Sequence, residues 1–361
     1  MTESGKVSEA LASLERDLAA LWAPEPGQAP KTRACTANLV LVTTAARRDE
    51  AIELGSSLTT ADLARTFVIG LDPKLAPWAV DASVSAHCQK GEGGELLCAE
   101  RIDLTLGAMT FARAPSLLSA LAMAEVPTVL LLTAPAPMKL VSTLAREAAR
   151  VVVDGDAVGL GAVAALANGT RAHLVDLAWT RLHPWRNALA RFFDDPALRP
   201  AVTAIRRVKI VTTLTEGGAM PEVAQYLVGW LAGRLGWRFV SGQTAIDPFH
   251  RAIDLELEWR GAPLPPGTLL AVELDSHLGD TPVTMSVERE GDPPFLCARH
   301  DAQERGQGER VTPLASLPLV GLLDRAIADP TSDAVLRATI ERAIGYPPGA
   351  PPPAVREGGA T

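Results

Sequence analysis

Tryptophan and arginine are concentrated in one short segment, LVDLAWTRLHPWRNALARFFDDP at residues 174–196. An apolar run leads into Trp179 and Arg181, and Trp185 and Arg186 then begin a segment with the apolar spacing of an amphipathic helix. Trp and Arg contribute disproportionately to the free energy of protein–protein contacts. The segment therefore predicts a rigid contact surface for another protein. The alternative is a strand–helix corner whose indoles are simply buried in the core.

Glycines in GLGAVA, residues 159–164, have the spacing of a dinucleotide-binding fingerprint. In such a site the first glycine stands at the end of a strand, so that pyrophosphate meets the N-terminus of the next helix. Here the residues DGDAV separate the preceding apolar run from Gly159, and both Gly159 and Gly161 fall inside a helical pattern. The segment therefore does not predict a cofactor site.

A second glycine-rich segment, TLTEGGAMPE at 213–222, joins a predicted strand to a predicted helix and is the best candidate for seating a small anion. It lacks the Lys-Ser/Thr pair that ends a phosphate-gripping loop, and Glu216 and Glu222 repel phosphate. A plain connection is the better interpretation, and we expect no bound cofactor.

Two cysteines, Cys88 and Cys98, lie on segments that predict a β-hairpin, ASVSAHCQ and ELLCAERIDL, joined by KGEGG. Directly opposed cysteines on such a ladder have separations that can suit a disulfide, which makes this a candidate redox pair. With His87 they are one ligand short of a structural zinc site, and His87 and Cys88 point to opposite faces of a strand. The alternative is that both cysteines are small buried hydrophobes; no metal site is predicted.

Catalytic residues are not indicated by any motif. The sequence has no GxSxG turn, and its six histidines are scattered. Asp247, His250 and Arg251 have side chains suited to acid–base chemistry, but nothing in the pattern fixes them together. We therefore predict that the protein is not an enzyme.

The elements that must position these residues follow two patterns. Apolar spacing from Val7 to Leu21 predicts an amphipathic helix that docks on the rest of the protein or on a second subunit, within an N-terminal segment of residues 1–30 that ends in a linker. In residues 31–178, Val- and Leu-rich runs alternate with helical segments. This predicts an α/β domain with a mostly parallel sheet, an antiparallel hairpin and helices on both faces.

Residues 179–345 follow the second pattern. Closely spaced segments such as IDLELEW alternate apolar and acidic residues, which is typical of half-exposed antiparallel strands. Together with the flanking helical segments they predict an α+β domain containing an antiparallel meander. The Pro- and Gly-rich residues 346–361 predict a disordered tail.

Composition narrows the class of protein. A chain of 361 residues exceeds the roughly 250–300 at which one hydrophobic core stops growing, so two domains are expected. Its net charge of −8, with no basic run longer than two residues, argues against nucleic acid as a partner. The charged N-terminus and the lack of an apolar run long enough to span a bilayer predict a cytoplasmic protein with no membrane partner.

Four segments resemble, in order and spacing, those of the glucose-6-phosphate dehydrogenase assembly proteins, the OpcA family. They are TRACTANLVLV at 32–42, SVSAHCQ with LLCAERIDL within 83–104, DLAWTRL followed by PWR, and VGWLAGRLGW at 228–237. The resemblance implies a non-catalytic assembly factor and allosteric activator of glucose-6-phosphate dehydrogenase, in the oxidative pentose phosphate pathway. It would act by protein–protein binding that favours the active oligomeric state of the dehydrogenase.

The residues expected to contact this partner follow from the preference of binding hot spots for Trp and Arg. They are Trp179, Arg181, Trp185 and Arg186, with Trp230 and Arg234 as the second choice. The alternative for the first group is a corner that joins the two domains. Two other functions stay open: a nucleotide- or sugar-phosphate-binding enzyme that uses the N-terminal α/β domain, and a scaffold that only protects its partner from unfolding.

The sequence departs from the family in two places. TTADLARTFVI at 59–69 lacks a His-Pro-Ser-Arg run associated with relatives, and LLLTAPAPM at 130–138 stands where tryptophans and an acidic turn are usual. Both are predicted strand ends, where α/β domains place ligand or partner loops. The partner or its regulation can therefore differ from that of other members.

Overall fold

Two sheets organise the chain in the computed structural model, which describes residues 3–23, 31–91, 95–215, 220–302, 306–314, 317–328 and 334–346. The residues fall into two units. Unit 1 comprises Met1–Val158, Ala165–Leu177 and Leu317–Ser332, and unit 2 comprises Gly159–Ala164, Ala178–Ser316 and Asp333–Thr361. The predicted linker (24–30) and nearly all of the predicted tail lie outside the described residues.

Sheet A belongs to unit 1. Its strands are β1 (Lys31–Arg33), β2 (Asn38–Thr44), β3 (Arg65–Leu71), β4 (Val80–Lys90), β5 (Leu96–Leu106), β6 (Thr128–Leu132), β7 (Arg150–Val153) and β8 (His173–Asp176). Their order is β1-β5-β3-β2-β6-β7-β8, with β4 added antiparallel to β5 and every other pair parallel. β2 and β3 are buried along nearly their whole length, as expected of parallel strands covered on both faces. The predicted α/β architecture with its hairpin is confirmed.

Helices connect and cover these strands. In chain order they are α1 (Glu3–Leu21), α2 (Arg48–Asp62), α3 (Ala108–Phe111), α4 (Ala114–Leu121), α5 (Met138–Glu147), α6 (Gly155–Val158), α7 (Leu160–Gly169), α8 (Leu177–Arg181), α9 (His183–Ala190), α10 (Glu222–Leu235), α11 (Leu319–Ala328) and α12 (Ala334–Ile344). Gly159 adopts φ +83° and separates α6 from α7, so the prediction that Gly159 falls inside a helix is wrong, whereas Gly161 does lie in α7.

Two helices from opposite ends of the sequence complete unit 1. α1 packs on β4 with Leu14 buried, so the predicted docking of the N-terminal helix on the rest of the protein is confirmed. α11 packs Leu322 and Leu323 into a core cluster that includes Leu39 of β2 and Leu131 of β6. The hydrophobic core of this unit therefore depends on residues far apart in sequence.

Sheet B belongs to unit 2. Its strands are β9 (Arg207–Thr212), β10 (Arg238–Ser241), β11 (Thr244–Ile246), β12 (Ala252–Trp259), β13 (Leu269–Leu278), β14 (Thr281–Glu290), β15 (Phe295–Ala302) and β16 (Gly306–Pro313). Their order is β10-β11-β12-β9-β13-β14-β15-β16, antiparallel except for β9 and β12. The predicted α+β class with an antiparallel meander is confirmed. β9 lies between β12, to which it is parallel, and β13, to which it is antiparallel. No helix that the structure describes is long and apolar enough to cross a membrane.

Candidate partner-binding surface

The Trp/Arg segment forms two short helices at the start of the main part of unit 2. α8 follows β8 directly, and α9 has Pro184 in its first turn, where a missing N–H costs nothing. Trp179 and Trp185 are only 3% and 4% exposed, whereas Arg181 is exposed and Arg186 half-buried. Of this first group of predicted contact residues, the arginines rather than the indoles reach the surface of the unit.

The burial of Trp179 has a specific cause. The Arg186 guanidinium carbon lies 3.3 Å from the centroid of the Trp179 ring, and its Nη2 donates a 3.3 Å hydrogen bond to the Trp179 carbonyl oxygen. Tyr226 of α10 packs on the same indole, with ring centroids 6.2 Å apart. This stack holds α8 and α9 together inside unit 2, as the core interpretation of the segment expects. That the Trp/Arg segment binds a partner stays a prediction.

The second choice of contact residues lies on α10. Trp230 is half-buried and Arg234, in the last turn, is exposed. The helix approaches α12 closely at Gly229, where an added Cβ would stand 2.7 Å from the Cβ of Ala343. Ordinary side chains could not replace this glycine without separating the two helices, so Trp230 and Arg234 sit on a firmly held element.

The cysteines of the predicted hairpin form a disulfide. Cys88 of β4 and Cys98 of β5 are directly opposed in the ladder, with Cα atoms 4.0 Å apart. His87 bonds Ser85 on its own strand, at 3.0 Å, and burial lowers the pKa of its imidazole. Most of the turn between the strands, residues 92–94, lies outside the described residues. The structure thus pairs the two cysteines, and their redox activity stays a prediction.

A cavity of about 550 Å³ in unit 1 opens between α1 and the β1 edge of sheet A. It is lined by Glu15, Leu18, Ala19, Trp22, Lys31, Arg33 and Arg65. Beside it, the buried carboxylate of Glu100 pairs with Arg33 and Arg65 and accepts a 2.9 Å hydrogen bond from Trp22 Nε1. Both arginines are thus engaged by a resident carboxylate. No motif in the sequence pointed to this arrangement.

The glycine-rich fingerprint takes no part in a nucleotide-binding turn at the end of β7. Gly155, not Gly159, follows this strand, and its N–H donates a 2.9 Å hydrogen bond to the buried carboxylate of Asp176. The amide that would meet a phosphate at this strand end is therefore bound to a carboxylate of the protein itself. The other glycine-rich segment is described only in part, because residues 216–219 lie outside the described residues.

The acid–base candidates Asp247, His250 and Arg251 lie in the tight turn between β11 and β12. Asp247 is 6% exposed and forms an ion pair with Arg251, with 2.6 Å between Oδ2 and Nε. Burial alone would raise the pKa of Asp247, but the hydrogen bonds from Arg251 and Phe249 hold it below its usual value. A carboxylate so stabilised is a poor proton acceptor at neutral pH, and its place here is to fix the turn.

Family models match both halves of this chain. The glucose-6-phosphate dehydrogenase subunit N-terminal domain of the OpcA type matches residues 57–168, and the corresponding C-terminal domain matches residues 172–340. The OxPP cycle protein OpcA of Nostoc punctiforme is 29% identical over 69% of this chain and 57% of its own length. The protein of the same name in Synechocystis sp. is 30% identical over 56% of this chain and 46% of its own length. The chain thus spans about half the length of the curated relatives it matches.

Oxidoreductases are among the solved structures that align with this chain. One from Sinorhizobium meliloti aligns over 86% of this chain and 95% of its own, with 13% identity and a TM-score of 0.48. A levoglucosan dehydrogenase in complex with NADH and L-sorbose aligns over 88% and 100%, with 9% identity and a TM-score of 0.41. At these scores the likeness carries no argument about activity.

Proposed function

The chain belongs to the OpcA family of glucose-6-phosphate dehydrogenase assembly proteins, and we propose that it is a non-catalytic assembly factor and allosteric activator of glucose-6-phosphate dehydrogenase. The match of both halves to glucose-6-phosphate dehydrogenase subunit domains carries this proposal. The protein would act in the cytoplasm on the oxidative branch of the pentose phosphate pathway.

Activation without chemistry requires that this chain bind one state of the dehydrogenase more tightly than another. The equilibrium moves only by the difference between the two binding free energies, which is about 1–3 kcal/mol for ordinary allosteric coupling. The favoured state is the active oligomer. Glucose 6-phosphate and NADP bind to the dehydrogenase, and this chain supplies only protein contacts.

A non-catalytic role is supported by the strand ends of sheet A. β2 lies between β3 and β6, so the loops after β2 and β6 flank the point where ligands bind in open α/β sheets. Those loops, residues 45–47 and 133–137, contain no glycine to let a phosphate approach the backbone, and Arg47 is paired with Glu50. After β7, Asp176 holds the Gly155 amide.

The contact surface that we propose includes the sequence-predicted residues, refined by burial. Trp179, Trp185 and Arg186 hold α8 and α9 in place from within unit 2. Arg181 is the exposed residue of this group that would contact the partner. Arg234 is the exposed residue on α10 that would contact the partner. Tryptophan and arginine are among the residue types enriched in binding hot spots.

The test is an assay of the glucose-6-phosphate dehydrogenase from the same organism, with and without the purified chain, while light scattering follows the size of the mixture. A stable complex together with faster NADPH formation supports the proposal. A complex that protects the dehydrogenase from heat without raising turnover replaces it with the scaffold function. No complex, combined with saturable binding of NADP or a sugar phosphate to the isolated chain, replaces it with the enzyme alternative.

A further inference from the structure

The turn between β11 and β12 has a well-defined backbone. The N–H of His250 donates to the carbonyl oxygen of Asp247 at 3.0 Å, and the N–H of Asp247 donates to the carbonyl oxygen of Arg251 at 3.0 Å. His250 then adopts φ 63°, in the left-handed region. This is the pattern of a three-residue hairpin loop, in which a tight turn is followed by one left-handed residue. Its tip is Pro248, Phe249 and His250, and all three are exposed.

The Asp247 carboxylate fixes this loop from below. Oδ1 accepts hydrogen bonds from the backbone N–H of Phe249 at 2.8 Å and from that of Arg251 at 2.9 Å. Oδ2 accepts a hydrogen bond from Nε of the Arg251 side chain. Arg206 Nη1 stands 3.9 Å from Oδ2, and Arg251 Nη2 also donates to the carbonyl oxygen of Thr203. A buried carboxylate with this many donors leaves the loop little conformational freedom, so the tip is ordered before anything binds to it.

Phe249 is held outward by this loop. Its side chain is 66% exposed, the largest fraction among the large exposed hydrophobic residues that the structure describes. Its ring rests on the Arg251 guanidinium, with 4.8 Å between the guanidinium carbon and the ring centroid. A single exposed apolar residue is ordinary on a protein surface. An exposed aromatic ring on a preorganised loop is different, because its burial by a partner costs little conformational entropy.

His250 is a second, independent sign of use. Glycine is the residue favoured at the left-handed position of such loops, since a Cβ there meets the following carbonyl oxygen. Non-glycine residues under such strain cluster at sites of binding and catalysis. Here the strained position carries an exposed imidazole directly beside Phe249.

The charge around the tip is positive although the chain carries −8. Arg206 and Arg251 flank Asp247, and Arg238, exposed on β10, is the ladder partner of Ile246 just before the turn. Pro248 lies against the end of α10, since a Cβ on Gly236 would stand 3.2 Å from its Cγ. The tip thus lies beside the helix turn that carries the exposed Arg234.

We propose that the Pro248–His250 tip is a docking element whose Phe249 inserts into an apolar pocket of a partner protein, with the exposed Arg234 and Arg238 beside it facing carboxylates at the rim of that pocket. The proposal rests on the proposed function, because the partner it assigns is the glucose-6-phosphate dehydrogenase. Arg234, chosen from the sequence, is then part of the same surface as Phe249.

The test measures the affinity of the full chain for the dehydrogenase by isothermal titration. Phe249→Ala removes an exposed ring, so its thermal unfolding should match the wild type while its Kd rises about 10- to 30-fold, as for a binding hot spot. Val311→Ala is the matched control: Val311 is 55% exposed on β16, at the opposite edge of the same sheet, and its Kd should stay within about twofold.

Arg238→Glu tests the charge of the partner's pocket. It should weaken binding at low ionic strength and do so less at high salt, since exposed charges are screened. If the wild type binds and Phe249→Ala binds equally well, the docking element is overturned while the proposed function stands. If the wild type itself shows no binding to the dehydrogenase, the proposed function fails and takes this inference with it.

Discussion

Arg65 of β3 and Glu100 of β5 form an ion pair inside unit 1, with 2.8 Å between Nη2 and Oε2 and side chains that are only 10% and 2% exposed. Arg65 also donates to the carbonyl oxygen of Leu121 at the end of α4. Glu100 reaches Arg33 of β1 and Trp22, the residue just after α1. This one carboxylate therefore ties the N-terminal helix and the edge strand to the sheet.

Breaking this pair should be costly. Arg65→Met removes one of the two arginine partners of the buried Glu100 carboxylate, which keeps Arg33 and Trp22, and is expected to lower the free energy of unfolding by about 2 kcal/mol. Urea unfolding followed by circular dichroism measures it. Arg47→Met is the control, since it breaks an exposed pair with Glu50 and should cost no more than about 0.5 kcal/mol. Equal losses in the two variants would contradict the importance of burial here.

The disulfide should stabilise unit 1. Cys88 and Cys98 are ten residues apart, and closing a loop of that size restricts the unfolded chain by about 3 kcal/mol. Cys88→Ala should therefore lower the melting temperature, and a reducing agent should lower that of the wild type without further effect on the variant. Calorimetry with and without dithiothreitol measures both. A wild type whose melting is unchanged after its thiols have been shown to be free would refute the prediction.

Stability should fall as pH rises because of Asp62. Burial and the neighbouring Asp324 carboxyl raise the pKa of Asp62 to about 7, whereas an unfolded aspartate titrates near 3.9. The folded chain thus keeps a proton that the unfolded chain releases, so this contribution is complete below about pH 4 and is lost as pH rises through 7.

The variant Asp62→Asn tests this pH dependence. It should reduce the loss of unfolding free energy between pH 4 and pH 8 by about 1–2 kcal/mol, a value reduced from the full shift because the site is half-exposed. Chemical denaturation at a series of pH values gives the profile. Asp49→Asn, on the exposed first turn of the same helix, should leave the slope as in the wild type. A slope that survives in Asp62→Asn would exclude this group as its source.

Variants of Arg181 and Arg186 should distinguish an effect on partner binding from an effect on folding stability. Arg186→Ala removes the guanidinium stacked on Trp179 and is expected to cost about 1–2 kcal/mol of stability. Arg181→Ala changes an exposed side chain, so its stability should stay within about 0.5 kcal/mol of the wild type. Activation of the dehydrogenase by a folded Arg181→Ala should fall. Unchanged activation would remove Arg181 from the contact surface.

Much of the fold was predictable because local patterns determine it. β2, β3 and β7 are apolar runs without alternation, and such runs form strands covered on both faces. The register that opposes Cys88 to Cys98 also follows from local sequence, since two strands joined by a short turn pair in only a few ways. β16, GQGERVTP, could not be predicted from the sequence because a polar edge strand has no apolar alternation.

The candidate site was less predictable because it depends on contacts between distant residues. The burial of Trp179 results from packing with Tyr226, 47 positions later, which no local pattern shows. Asp247 and Arg251 are candidates in the sequence, but their pairing depends on the turn between them. Asp followed by Pro, between two short apolar segments, was a signal for that turn. The outward position of Phe249 had no signal of its own.

The placement of α11 in unit 1 affects how this protein is made. All strands of sheet A precede residue 178 and so leave the ribosome first. Leu322 and Leu323 leave it only after nearly all of unit 2 has been synthesised. Until then the nascent chain exposes the apolar surface around Leu39 and Leu131 that α11 will cover. A chaperone that shields this surface during translation would favour correct folding, and a gene fragment that stops at residue 178 should yield an aggregating product.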